Sequence, residues 1–120
     1  MDLDNPVVKL CLAGTDAEFD GRQADARDLY RQAWKTACND YEACIAAHYV
    51  ARLQIDPVEA LRWNLEALSR AEAVGDERVA PFLPSLYVNL GHAYELNGQK
   101  NEAAHYYQLA ADLGLFHQSD

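Results

Sequence analysis

Asn89, His92 and Glu95 follow one another at every third position. On a helix that step keeps side chains on one face, where an amide, an imidazole and a carboxylate can act together. Four histidines, His48, His92, His105 and His117, raise the question of a metal. No two stand at the i, i+4 spacing of a helical zinc site, and no acid joins them in a known ligand order. No Gly-x-Ser-x-Gly elbow presents a nucleophile, and the six glycines are scattered at turns instead of forming a phosphate-cradling loop. The chain is therefore expected to be no enzyme, and to hold no metal and no cofactor. Arg27, Arg31 and Lys35 form a basic stripe beside Asp25 and Asp28, which reads as a solvated outer face. Glu66 and Arg70 make a favourable i, i+4 pair.

Composition narrows the partners. Ten basic and 19 acidic residues give a formal net charge of −9. Nucleic acid and anionic membrane both demand a basic face, so neither is expected as a partner. No run of 18 apolar residues exists, and Met1-Asp-Leu-Asp-Asn-Pro6 lacks the basic start of a signal peptide. Cys11, Cys38 and Cys44 form no Cys-x-x-Cys pair and read as thiols in a reducing, cytoplasmic setting. Half the 120 residues are apolar, enough for one folded domain over 1–120. Alanine, leucine and tyrosine dominate while β-branched residues are few, which favours helices.

Start and stop signals divide the chain into six helices. Asn5-Pro6 combines a cap with a proline at the first position, and that helix runs to about Asp20. A second runs from about Ala24 to Cys38, and a third from a cap at Asp40 to about Leu53. Asp56-Pro57-Val58-Glu59 starts the fourth, which ends at Gly75. The fifth begins between Val79 and Ser85, because Pro81 and Pro84 fit a first turn but no interior. Asn97-Gly98 turns the chain, and the sixth runs from about Asn101 to Leu113.

A repeat underlies these helices. Ala26-x-x-Leu29-Tyr30-x-x-Ala33 returns as Ala60-x-x-Trp63-Asn64-x-x-Ala67 and as Ala103-x-x-Tyr106-Tyr107-x-x-Ala110. Ala26 to Ala60 is 34 residues and Ala60 to Ala103 is 43, so about nine residues are inserted between Val74 and Leu83. In the last unit, Tyr87, Leu90, Gly91, Tyr94, Gly98, Ala103, Tyr107 and Ala110 resemble the packing residues of a tetratricopeptide repeat. The chain is similar to small bacterial-type members with lengthened repeats. Asn64 stands where that family places a large apolar residue, with Trp63 next to it. Ala17 stands where a tyrosine is usual, and His48 where a small residue is usual.

The resemblance implies an all-α fold of three helical hairpins, six antiparallel helices stacked as a short right-handed α-solenoid. The repeats cover about 6–40, 41–75 and 79–114, with a tail at 115–120. It also implies a non-catalytic module that binds a protein or peptide segment. In that family the first helix of each hairpin lines a concave groove. Here this places Tyr49, Arg52, Asn89, His92 and Glu95 on the groove, with Val8, Cys11, Leu12 and Thr15 from the first hairpin. Only Asn89 matches the clamp by which some relatives hold a peptide's carboxylate, so that variant is not expected.

Solenoids commonly close with a polar capping helix, and none follows the sixth helix here. Leu113, Leu115 and Phe116 are therefore expected to form an apolar end, through which the chain forms a homodimer or docks a partner. Such a self-associating structural module is the alternative to a monomeric adaptor. A peptide or small-molecule sensor acting with a separate effector chain is a further one.

Overall fold

The computed structural model describes residues 2–114. The described chain is all helical: α1 (Pro6–Phe19), α2 (Gln23–Thr36), α3 (Asp40–Arg52), α4 (Pro57–Val74), a short 3-10 turn (Ala80–Phe82), α5 (Leu83–Leu96) and α6 (Lys100–Asp112). No strand occurs among the described residues. Leu115 and Phe116 lie outside them.

The caps explain most boundaries. The Asn5 side chain accepts from the backbone N–H groups of Val7 and Val8, and Asp56 accepts from Val58. Each fills a donor that the first helical turn leaves open. Gly75 ends α4 at φ 64°, a left-handed residue whose N–H bonds the Ala71 carbonyl. At α3 the cap is Asn39, one residue earlier than expected. Asn39 is extended and accepts from the Glu42 N–H at 2.8 Å. Asp40 is thereby released into the helix, where Arg70 of α4 reaches it at 2.9 Å and Glu66 at 2.9 Å. Pro81 falls in the 3-10 turn and Pro84 in the first turn of α5, where neither removes an intrahelical bond.

Helices pack with their sequence neighbours: α1 on α2, α3 on α4, α5 on α6, with α2 against α3 and α4 against α5. The turns joining each pair are too short for anything but antiparallel hairpins. The smallest dimension of the molecule is 21 Å, about two helix diameters. Val7, Val8 and Cys11 of α1 meet Ile45 and Ala46 of α3 in one apolar cluster. Cys44 and Ala47 meet Ala67, Ala71 and Leu86 in another. Trp34 and Trp63 lie edge to face with centroids 5.0 Å apart, tying α2 to α4.

One packing device occurs twice. A Cβ built on Gly14 would stand 2.3 Å from Tyr30 Cε1, and one on Gly91 would stand 2.5 Å from Tyr107 Cε1. Each tyrosine ring thus presses on a glycine of the preceding helix, and a Cβ there would force the ring to move. Each hydroxyl then donates to a carboxylate one turn further on, Tyr30 to Glu18 and Tyr107 to Glu95. Gly14, Glu18 and Tyr30 are related to Gly91, Glu95 and Tyr107 by one constant offset.

Candidate functional site

The same offset rule, applied to the middle hairpin, puts His48, Arg52 and Asn64 in the places of the glycine, the glutamate and the tyrosine. None of the three can build the ring-over-glycine contact. Asn64 is buried and too short to cross to α3; its Nδ2 donates to the Ala60 carbonyl of its own helix at 2.8 Å. A hollow of about 270 Å³ lies here between α3, α4 and α5, lined by His48, Arg52, Asn64, Asn89, His92 and Leu96 among others. A second hollow of about 160 Å³ adjoins it. There Cys44, Ile45, Tyr49, Phe82 and Leu86 make a mainly apolar lining. His48 lines both.

Charge in the polar hollow is largely cancelled. Arg52 Nε and Nη2 lie 3.3 and 3.1 Å from the Glu18 carboxylate, which also receives the Tyr30 hydroxyl. Partial burial alone would raise the Glu18 pKa, but hydrogen bonds from Arg52 and Tyr30 outweigh it and hold the carboxyl below its usual value. Tyr30 is pushed up to about 12, by burial and then by the Glu18 carboxylate. Burial lowers the His48 pKa, and the Arg52 charge lowers it further. The imidazole is therefore neutral near pH 7. Asn89 Nδ2 lies 3.4 Å from His48 Nδ1, which in the neutral ring can accept that donor. The walls thus offer amides and a neutral imidazole, groups that recognise other amides better than ions.

The residues singled out from sequence divide between several places. Arg52, Asn89 and His92 line the polar hollow and Tyr49 the apolar one. Tyr49 also packs against the Tyr30 ring at 5.3 Å and the His48 ring at 5.2 Å. Glu95 is the carboxylate that holds Tyr107 in the third hairpin, and it lines neither hollow. Val8 and Cys11 are fully buried under α3, because α1 packs directly against that helix, so they line no groove. Thr15 bonds the Cys11 carbonyl and meets the Tyr30 hydroxyl. Leu113 is exposed at 54%.

His48 and Asn64 were missed as site residues. The signal that finds them is their departure from the glycine and tyrosine of the flanking hairpins. Among the described residues, no group of three His, Cys, Asp or Glu side chains could hold a metal ion. No described helix is long and apolar enough to cross a membrane. Compared with protein-family models, with curated proteins and with solved structures, the chain finds no match.

Proposed function

We propose that this chain is a non-catalytic, tetratricopeptide-like adaptor whose three hairpins stack as a short right-handed solenoid. On this reading it binds an extended segment of another protein across α3 and α5. The observation that carries it is the pair of adjoining hollows that share His48. A side chain of leucine or phenylalanine type matches the apolar hollow, where burying it contributes about 1.5–3 kcal/mol. The next peptide unit would then lie over the polar hollow, within reach of Asn89, Asn64 and His92. Ligand sites of this kind combine an apolar wall with a few fixed polar groups. The absence of uncompensated charge favours a peptide backbone over a phosphate or a free carboxylate, and the net charge of −9 acts in the same direction.

A random peptide library panned against the full chain tests this. The expected selection is short sequences with one large apolar residue. Asn89→Ala should weaken them by about 1–3 kcal/mol, the cost of leaving a hydrogen-bonding group unpaired. Arg52→Ala should weaken them as well, because Arg52 forms part of the polar wall. Affinities unchanged in both variants, with the helical circular dichroism intact, would place the binding surface elsewhere.

A further inference from the structure

A different face is left open by the way the hairpins stack. Leu10 and Ala17 of α1 belong to apolar clusters completed by Ile45, Ala46 and Val50 of α3. The corresponding Cys44 and Ala51 of α3 are both buried, Cys44 in one cluster with Leu86 of α5. In α5 these two places hold Tyr87 and Tyr94. Their rings meet Tyr106 of α6 at 6.1 and 5.6 Å, the second pair stacked within 8° of parallel. No further helix covers this tyrosine face among the described residues.

The opposite end shows the matching half. Ala46 of α3 presses on α1, and Leu53, just past the end of α3, joins the cluster around Ala26 and Tyr30 and takes a hydrogen bond from Arg27 through its carbonyl. The equivalent places on α1 hold Leu12 and Phe19. They are exposed at 38% and 87%, with no hairpin in front of them among the described residues.

We propose that a second copy of this chain docks its Leu12–Phe19 face on the Tyr87–Tyr94–Tyr106 face, repeating between molecules the junction that hairpins make within one. The two faces differ, so the contact is heterologous and leaves one free end of each kind at every step. It therefore grows past a dimer, into an open chain or, where the rotation closes, a larger ring. Copies carrying −9 repel one another, so salt should strengthen the association by screening.

Sedimentation of the full chain over a concentration series, at low and moderate salt, is the test. The expected result is an average mass that grows past a dimer with concentration and grows further with salt. Phe19→Asp and Tyr94→Glu should each give monomers, since each blocks one face. An equimolar mixture of the two should give a one-to-one dimer and nothing larger, because one intact face of each kind remains. Phe19 is almost fully exposed, so its variant should keep the fold; Tyr87→Glu replaces Tyr94→Glu if the latter loses helical signal. A wild type that stays monomeric or stops at a dimer overturns the proposal. So does a Phe19→Asp variant that still associates, or a mixture that stays monomeric.

Discussion

Glycine, glutamate and tyrosine form the unit that fixes the first and third hairpins. The ring needs the missing Cβ, and the hydroxyl needs an acceptor at the edge of the core. Gly14→Ala and Gly91→Ala should each destabilise the fold by about 1–3 kcal/mol, the usual cost of overpacking. Urea unfolding measures this, and a cost near zero in both would show that the rings move aside freely. The thiols separate by burial. Burial pushes Cys11 up to about 12 and Cys44 up to about 11, while Cys38 is exposed. A thiolate-selective reagent at pH 8 should label Cys38 rapidly and the other two only on unfolding; Cys38→Ser should abolish the fast phase. His48 sets a pH dependence. Its folded pKa lies below the ordinary 6.5, so the unfolded chain takes up this proton first. Its contribution is fully present above about 6.5 and is lost as pH falls through the lower folded value. Glu18 acts in the same direction, but only as pH falls below its ordinary 4.5. The urea midpoint should therefore decline as pH falls below about 6.5, and His48→Gln should flatten that segment while leaving the acid limb. An equal decline in the variant would assign the slope to other groups.

At the scale of elements, the middle hairpin differs from its neighbours by a few side chains, and those side chains make the cleft. Restoring the flanking pattern with His48→Gly and Asn64→Tyr should fill the polar hollow with a ring. The double variant should unfold no earlier than the wild type and should lose binding to any peptide selected on the cleft. Asn64→Tyr alone should cost stability, because the ring meets the imidazole instead of a glycine. Thermal unfolding of the single and double variants decides between these outcomes, and independent effects would argue against a shared volume. Helix ends follow more local rules. Asn5, Asp56 and Gly75 act where their types predict, since caps involve only the nearest backbone groups. The start of α3 fell one residue early, because Asn39 takes the cap and leaves Asp40 to Arg70, thirty positions away.

The whole molecule is an ordered series of hairpins with an excess of acid. Self-repulsion at −9 should make folding stability rise when moderate salt is added, most clearly at low ionic strength. Chemical denaturation by urea at several salt concentrations would show it, and a flat response would mean that the surface ion pairs already offset the repulsion. Six helices, their order and their approximate limits were legible in the sequence. Alanine spacing and turn residues depend on the period of one helix and the dihedrals of one turn. That Gly91 and Tyr107 are packing residues of the last unit was legible by resemblance, but that they meet each other was not. The candidate site was only half legible. Asn89 and His92 share a helix face, and helical periodicity shows that without coordinates. The sequence by itself therefore determined the helices, their hairpin pairing and which faces carry polar groups. Only the tertiary structure decided that Glu95 holds a tyrosine, that Cys11 is core, and that His48 and Asn64 open a hollow. Those outcomes depend on which side chain fills the gap between two packed backbones, and that volume exists only once distant helices meet.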